Sequence, residues 1–349
     1  MPGELVPAFD GALFELVFIT NYVIMTTFIT HPNGQGQTVS SENLPASVLE
    51  GKQLFNDADD PRISRDGYIS CASCHLDAEH DGRTWDFSDR GEGLRNTIAL
   101  RGRAGTAHGK LHWSANFDEI QDFEHDIRHA FGGRGLLNDK DFDDTINTLD
   151  QYKAGRSHAL DAIATYTASL TQFGISPWRN QQQLSHKAQR GKLIYQQLNC
   201  SGCHSGPSFT DSPQGLRHDV GTIKITSGQR LASNTLNGID TPTLKALWHS
   251  APYFHDGSAN SLLEVINQKS HGNGQQLSSG EKEDLIAYLL QIDDLENNSH
   301  TPAATFKLST LNANQNLAPN AIALGIESSF SDIIAVTYFA NDKAVATTN

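Results

Sequence analysis

All four cysteines of the chain fall into two copies of one short motif, C-x-x-C-H. The residues are Cys71, Cys74 and His75 in the first copy, and Cys200, Cys203 and His204 in the second. In this spacing the two thiols react with the two vinyl groups of one haem, and the adjacent His supplies an axial nitrogen to the iron. The sequence therefore predicts two covalently bound c-type haems.

Two other kinds of site use closely spaced cysteines. One is a zinc site built from four thiolates, or from two thiolates and two imidazoles, and the other is a redox-active dithiol. Neither site explains why both cysteine pairs are followed directly by His. Haem attachment is therefore the preferred interpretation.

The charge balance limits the kind of partner. The 349 residues contain 26 Lys+Arg against 40 Asp+Glu, for a formal net charge of -14, and 38% of them are hydrophobic. That acidity opposes binding to nucleic acid or to an anionic membrane and favours basic partners. The composition is that of an ordinary globular protein, and we expect no nucleic-acid partner.

Covalent haem attachment takes place outside the cytoplasm, so we expect a periplasmic or extracellular protein with an export signal. Residues 13–29 are apolar, but they contain Glu15 and Asn21 and follow an acidic start. The segment fits neither a signal peptide nor a membrane span, and its β-branched and aromatic residues favour two strands and a turn. We therefore expect the signal upstream of this sequence, which would then be a fragment.

An internal repeat surrounds the two motifs. A Gly-Lys pair opens a short apolar stretch before each of them, at Gly51 and at Gly191. After each motif, residues 160–170 and residues 285–290 carry apolar and aromatic side chains at helical spacing. Each copy thus predicts an N-terminal helix, a haem-attachment loop and a C-terminal helix that crosses the first, which is the core of a cytochrome c domain.

The predicted fold class is mainly α, with two tandem cytochrome c-like domains and short β-rich segments at both ends. The domains span 45–174 and 184–295, and the second begins with a helix cap at Ser185. A Pro-containing polar linker joins them. Residues 1–44 form a β-rich remnant, and 296–349 an incomplete β-sandwich-like module or a disordered tail. The long insertion between Gly91 and Gly135 is where we expect function.

Several segments besides the haem motifs carry a resemblance to a known family. They are L-R-N-T at 94–97, the insertion with its Trp, T-P-T-L at 241–244 and A-P-Y-F-H-D-G-S at 251–258. In this order they resemble the bacterial diheme cytochrome c peroxidase and MauG family over residues 45–295. Residues 83–124 look like a MauG-related subgroup fused to β-propellers, which would make 1–44 the last blade of an upstream propeller.

The resemblance implies roles for the haems. The N-terminal haem, with His75 as its proximal ligand, would be the peroxide site, and the C-terminal haem, with His204, would relay electrons. Trp113 would bridge the two haems. The alternative is that Trp113 is an ordinary aromatic residue of the core. The family also implies Ca²⁺ between the haems, with oxygen ligands from Asn96, Ser250 and Pro252.

Heterolysis of peroxide requires a base over the open face of the iron. The family uses Glu, but the spacing of the insertion differs here. Glu124 is our first choice and Glu119 the second, with His112 and His125 as further candidates. The alternative for Glu124 is a solvated acidic face of a helix.

The distal ligand of the second haem departs from the family. Met or Tyr is expected fourteen residues after the His of A-P-Y-F-H, where this chain has Lys269, and both Met residues lie far upstream. His271 is our predicted iron ligand, because imidazole is mostly neutral at pH 7 whereas the Lys amine is protonated. Lys269 is the runner-up, and an open site is third. Nitrogen ligation lowers the haem potential relative to Met and favours a MauG-like oxidant of another molecule.

The predicted function is that of a diheme peroxidase-type oxidoreductase. It would use H2O2 to oxidise a cytochrome, a protein or another partner. Two alternatives stay open: a noncatalytic diheme electron carrier, and a haem module of a larger surface binding protein.

Overall fold

The computed structural model describes residues 43–230 and 236–296, and beyond them the backbone of nine strands near the two ends of the chain. The chain divides into two compact units, Met1–Asn298 and Ser299–Asn349. Among the described residues, none of the helices combines the length and the apolar character needed to cross a membrane.

The strands near the chain ends form small antiparallel sheets. In the first unit β1 pairs with β2, and β3, β4 and β5 form a three-stranded sheet; in the second unit β10 pairs with β11, and β12 with β13. Their bounds are β1 Leu5–Pro7, β2 Leu13–Glu15, β3 Val17–Asn21, β4 Thr26–Thr30, β5 Gly36–Ser40, β10 Lys307–Thr310, β11 Leu324–Glu327, β12 Val336–Ala340 and β13 Lys343–Thr348. The predicted propeller blade and sandwich module depend on side chains and connections outside the described residues, so both stay predictions.

The region between these strands is mainly helical. Its described helices are α1 Ala46–Asn56, α2 Glu124–Arg128, α3 Asp139–Asp144, α4 His158–Ser169, α5 His186–Gln197, α6 Leu262–Asn267 and α7 Ser279–Leu289. Its short strands are β6 Thr84–Phe87 with β7 Gly93–Asn96, and β8 Arg217–His218 with β9 Ile239–Asp240, both pairs antiparallel. Serine caps start several helices; Ser185, predicted as a cap, accepts from the Ala188 N–H at the start of α5.

One helix crossing occurs twice. A Cβ on Gly51 of α1 would lie 1.9 Å from the Ala162 carbonyl oxygen in α4, and one on Gly191 of α5 would lie 1.9 Å from that of Asp284 in α7. The missing side chain lets each pair of helix backbones come into contact. Next to these glycines Phe55 packs edge-on against Tyr166, at 5.3 Å between ring centroids, and Tyr195 packs likewise against Tyr288, at 5.4 Å.

The two helix pairs enclose separate apolar cores. The first core is centred on α1 and α4 and includes Val48, Leu54, Phe55, Ile63, Ile163 and Tyr166; the second is centred on α5 and α7 and includes Ile194, Tyr195, Phe209, Leu285, Tyr288 and Ile292. Burial of the residues at helical spacing in α4 and α7 holds each crossing together. The crossing of α5 with α7 thereby fixes the start of the second C-x-x-C-H loop, while Cys71 and Ala72 of the first loop pack against the core of α1 and α4.

Hydrogen bonds between distant residues connect the halves. In β7 the Asn96 N–H donates to the His255 carbonyl at 2.6 Å. The Asp240 N–H of β9 donates to the Trp113 carbonyl at 2.8 Å. The long insertion of the first half therefore contacts the segment that carries A-P-Y-F-H-D-G-S in the second.

Candidate haem sites

The second motif follows α5 directly, in a single turn of 3₁₀ helix at Cys200–Gly202. The Nδ1 atom of His204 donates to the Pro242 carbonyl at 3.1 Å, so Nδ1 carries the proton and Nε2 is the nitrogen that can bind a metal ion. Burial lowers the pKa of His204 to about 4, so its imidazole is neutral and able to bind a metal ion. The His204 ring is thus oriented by its own half of the molecule.

A cavity of about 430 Å³ opens in front of His204 and both motif cysteines. This volume lies in the range of sites for small molecules and cofactors, roughly 300–1,000 Å³. Its walls are largely apolar, and they include Tyr195, Leu244, Leu247, Leu262, Ile266 and Leu289. Arg103 and Lys245 also line it and would supply positive charge for the two carboxylates of a haem. The donor set and the walls therefore fit a covalently attached haem.

His271 lies across this cavity from His204. The two ring centroids are 6.2 Å apart. Two imidazoles on opposite sides of one metal ion, each bonded at about 2 Å, have their centroids about 6 Å apart. The Nδ1 of His271 donates to the Val265 carbonyl at 3.3 Å, and burial lowers its pKa, so a neutral Nε2 is available. Lys269 is exposed and lies outside the cavity lining.

The proximal His of the first motif is held in the same way as that of the second motif, but the residues that face it differ. The Nδ1 of His75 donates to the Glu79 carbonyl at 3.3 Å, and burial lowers the pKa of His75 to about 4. Among the described residues, the ring in contact with His75 is Phe55, at 6.5 Å between centroids. The described residues thus place no second imidazole against His75 in the way that His271 faces His204.

The cysteine geometry does not suit a shared zinc ion. Burial raises the pKa of the Cys71 thiol to about 12 and those of Cys74 and Cys200 to about 11. Within the described residues, one group of three metal-ligating side chains lies close together, and it contains Cys203 with Asp211 and His218. The two motifs therefore do not converge on one ion.

Trp113 lies at the junction of the halves. It is buried, and its Nε1 donates to the Asn96 carbonyl at 2.7 Å. Its ring also lines the cavity in front of His204. Trp113 is thus a buried aromatic residue at the contact between the two halves.

Two of the three predicted calcium ligands meet here. The Asn96 amide nitrogen donates to the Pro252 carbonyl and, at 3.3 Å, to that of Phe254, while the Asn96 Oδ1 atom is buried without a partner. An amide that turned by 180° would direct Oδ1 to a cation beside these carbonyls, and oxygen donors of this kind suit Ca²⁺. The Ser250 hydroxyl donates to the Ala246 carbonyl, so only its own carbonyl is left for such an ion.

The structure gives the two candidate glutamates structural roles. The Glu124 carboxylate is fully buried, pairs with Arg128 at 2.7 Å and accepts from the N–H groups of Leu136 and Leu137. The Glu119 carboxylate accepts from two backbone N–H groups, those of Lys153 and Ala154. These contacts close loops of the insertion, and they oppose the expectation that Glu124 faces an open iron. The alternative of a solvated helix face is also wrong for Glu124, because the residue is buried.

Sequence reasoning missed a polar cluster, the His112 cluster, beside the first motif. Its members are His112, Asn116, Asp126, Glu92 and Arg90. His112 was one of four candidate bases, but nothing in the spacing pointed to the other members, which lie up to 36 residues apart. His125, the remaining candidate, packs against Phe142 at 5.0 Å and stacks on His129.

Comparisons with known proteins place these sites in a wider context. No family model matches the sequence. Hydrazine synthase subunit gamma of Kuenenia stuttgartiensis is 29% identical over 286 residues, which are 69% of this chain and 76% of that protein. MauG of Methylophilus methylotrophus is 27% identical over 70% of this chain and 81% of that protein. Cytochrome c551 peroxidase of Nitrosomonas europaea is 23% identical over 72% of this chain and 81% of that protein.

Solved structures agree on the fold. A hydrazine synthase chain of Kuenenia stuttgartiensis superposes with a TM-score of 0.54 and 27% identity over 71% of this chain and 88% of its own. A MauG-like protein associated with microbial copper homeostasis superposes with a TM-score of 0.51 and 23% identity over 71% of this chain and 91% of its own. The arrangement of the two helix pairs and their motifs is therefore one that occurs in known proteins.

Proposed function

Because the chain belongs to the family of bacterial diheme cytochrome c peroxidases and MauG, we propose that it is a diheme oxidoreductase that uses H2O2 to oxidise another molecule. When bound, haem supplies an iron that exchanges electrons and, on an open face, accepts a peroxide oxygen. We assign the peroxide to the haem of Cys71, Cys74 and His75, and the electron relay to the haem of Cys200, Cys203 and His204.

The asymmetry between the two sites carries this proposal. His271 faces His204 at 6.2 Å between ring centroids, a spacing that suits two axial ligands of one iron. His75 has Phe55 as its described ring contact. An electron carrier needs both irons closed by two protein ligands, whereas an enzyme needs one open face. The difference between His204 and His75 supports the enzyme.

Residues of the chain hold each proximal imidazole in one tautomer. His75 and His204 both donate from Nδ1 to a backbone carbonyl. Each therefore presents Nε2 to its iron, and the hydrogen bond makes the imidazole a stronger ligand. On the opposite side of the second haem His271 does the same through Val265. This arrangement supports His271 over Lys269 as the distal ligand.

We propose that electrons pass between the two haems by way of Trp113. Trp113 is anchored on both sides, since its Nε1 donates to Asn96 in the first half and its carbonyl accepts from Asp240 in the second. A calcium ion held by Asn96, Ser250 and Pro252 would stiffen the same junction. Its expected effect is on the transfer between the haems and not on haem attachment.

The partner of the reaction follows from charge and cofactor chemistry. A formal charge of -14 favours a basic electron-donating cytochrome or a basic protein substrate over nucleic acid. Covalent attachment of haem places maturation outside the cytoplasm, so we propose a periplasmic or extracellular location. The relative named hydrazine synthase subunit gamma is, by that name, a subunit of a larger enzyme. It supports the alternative that this chain is a haem module within an assembly.

A titration of the fully reduced protein with H2O2 tests the function. One H2O2 takes up two electrons and two protons to give two water molecules, so one equivalent should oxidise both haems. Stopped-flow absorbance should show both haems oxidised together in the natural chain. In Trp113→Phe the first haem should react at the normal rate while oxidation of the second slows by about tenfold or more.

Trp178→Phe is the matched control, because Trp178 is exposed. It should behave as the natural chain does. If the reduced protein does not react with H2O2 and both irons are low-spin, the chain is an electron carrier and the enzyme proposal is wrong.

A further inference from the structure

We propose that His112, held by Asn116 and Asp126, is the group that moves the proton when the first haem reacts with H2O2. The inference rests on the proposed function and names a residue for it. Four observations carry it: the tautomer of His112, the carboxylate beside it, its position relative to the two motifs, and the state of the competing bases.

A chain of buried hydrogen bonds sets the tautomer of His112. Asn116 is fully buried, and its amide nitrogen donates to the Glu92 carboxylate at 3.1 Å. Its amide oxygen therefore faces the other way, where it accepts from the Ser114 hydroxyl at 3.0 Å and from His112 Nδ1 at 2.9 Å. With the proton on Nδ1, the Nε2 atom of neutral His112 carries a free lone pair. Nε2 is thus the basic atom.

Asp126 supplies the charge that a proton on Nε2 needs. One of its carboxylate oxygens lies 4.0 Å from His112 Nε2, and the other pairs with Arg90. Because Asp126 is buried, its interaction with an imidazolium is weakly screened by water. Asp126 is therefore a positioning and stabilising residue, while His112 takes the proton.

His112 lies between the first motif and the electron path. The His112 ring packs edge-on against Phe123, at 5.1 Å between ring centroids. Phe123 ends the 3₁₀ turn that begins at Ile120, and Ile120 packs against the same apolar core as Cys71 of the first motif. His112 has a positive φ of 66°, a strained conformation for a non-glycine residue and one that recurs at functional sites. Trp113 follows it directly. One turn of the chain thus directs His112 to the first motif and Trp113 to the second.

The competing bases are engaged elsewhere. Glu124 and Glu119 each accept from at least two backbone N–H groups, and Glu124 also pairs with Arg128. His125 packs against Phe142 and stacks on His129, and its buried Nε2 atom has no hydrogen-bond partner in the described part of the chain. Of the four candidates from the sequence, His112 alone combines a free basic nitrogen with a neighbouring carboxylate among the described residues.

The protons and electrons of the step balance as follows. His112 Nε2 takes the proton from the peroxide oxygen nearer the iron and gives it to the other oxygen. The O–O bond then breaks and the second oxygen leaves as water. The two electrons come from the haems and are replaced by electrons from the reduced partner, which is thereby oxidised. Solvent supplies the two protons that complete the second water.

Two measurements on His112→Asn in the holoprotein test the inference, since Asn also tolerates a positive φ. The first is the rate of reaction with H2O2. The second is the rate of cyanide binding to the ferric first haem, because cyanide enters as HCN, binds as CN⁻ and must lose its proton to a base. Both rates should fall by about 100-fold or more, the scale expected for a positioned acid or base. The haem spin states should not change.

Asp126→Asn is the second variant and covers the case in which His112→Asn fails to fold. It should slow both reactions by about tenfold, with Nε2 still present. His125→Gln is the matched control and should leave both rates within about threefold of the natural chain.

The outcomes separate the inference from the function. If the natural chain ignores H2O2, the proposed function fails, and cyanide binding still decides whether His112 accepts a proton. The inference is overturned if both rates are unchanged in His112→Asn. If only Asp126→Asn folds, the inference is overturned when neither rate is slowed in that variant. It is also overturned if His112→Asn converts a low-spin haem to high-spin, because His112 is then an iron ligand.

Discussion

At the scale of single residues, the molecule assigns neighbouring side chains to different tasks. His112 hydrogen-bonds within the polar cluster of the first half, and Trp113 lines the cavity of the second. A shift of one position in this loop would put Trp113 in the place of His112, or His112 in the place of Trp113. The strain at His112 is therefore consistent with a backbone held in register by contacts on both sides.

The role of His271 gives a prediction at this scale. In His271→Ala one low-spin haem should become high-spin, and the other should be unchanged, because only the second iron loses a nitrogen ligand. Absorption and electron paramagnetic resonance spectra would show the change. Lys269→Ala is the matched control, since Lys269 is exposed, and it should leave both spectra as they are. A change in Lys269→Ala with none in His271→Ala would make Lys269 the ligand.

A second prediction concerns Glu124. Glu124→Gln should destabilise the fold by about 1.5 to 3 kcal/mol, the contribution of a hydrogen bond to a charged group, because the Arg128 pair and the loop at Leu136 lose a carboxylate. Denaturant unfolding would measure it. The H2O2 rate of the folded variant should stay within about tenfold of normal. A loss of about 100-fold without destabilisation would return the role of base to Glu124.

At the scale of elements, the two helix crossings depend on a glycine. Gly191→Ala should destabilise the second half by about 3 kcal/mol, the upper end of the usual cost of overpacking, because its Cβ would overlap the Asp284 carbonyl. Thermal unfolding followed at the haem absorption band would report it.

Gly280→Ala provides the control for this crossing. Gly280 lies in α7, and a Cβ there meets no atom within 4 Å. Its stability should rise by up to about 1 kcal/mol, as expected for Ala replacing Gly in a helix. A gain in Gly191→Ala as large as that in Gly280→Ala would mean that helix propensity alone is measured and that the crossing does not depend on Gly191.

At the scale of the whole molecule, the two motifs predict two covalent haems per chain. Replacing Cys71 and Cys74 with Ser should halve the haem stain of the intact band on a denaturing gel, and replacing Cys200 and Cys203 should do the same. Metal analysis should find two irons in the natural chain. Zinc in their place would contradict haem attachment.

Much of this organisation is visible in the sequence because it depends on local spacing. The thiols and imidazole of each motif are five residues or fewer apart, and the apolar spacing of α4 and α7 is a local helical pattern. Gly51 and Gly191 each open a Gly-Lys pair and a short apolar stretch before a motif, 20 residues ahead of Cys71 and 9 residues ahead of Cys200. The repeated crossing is therefore also encoded locally. The mainly helical core and the similarity to diheme peroxidases and MauG follow from these features, and so does the prediction that His75 and His204 are the proximal ligands.

What the sequence could not decide are the contacts between distant residues and the directions of side chains. Lys269 and His271 lie two residues apart, and only the folded chain determines which of them enters the cavity. Glu124 is a residue type that can act as a catalytic acid. Its backbone partners at Leu136 and Leu137 become its neighbours only when the chain after α2 folds back onto that helix. The His112 cluster joins Arg90 and Glu92 before β7, His112 and Asn116 on either side of Trp113, and Asp126 in α2. Its members are distant in the sequence, so only the folded chain brings their buried polar groups together.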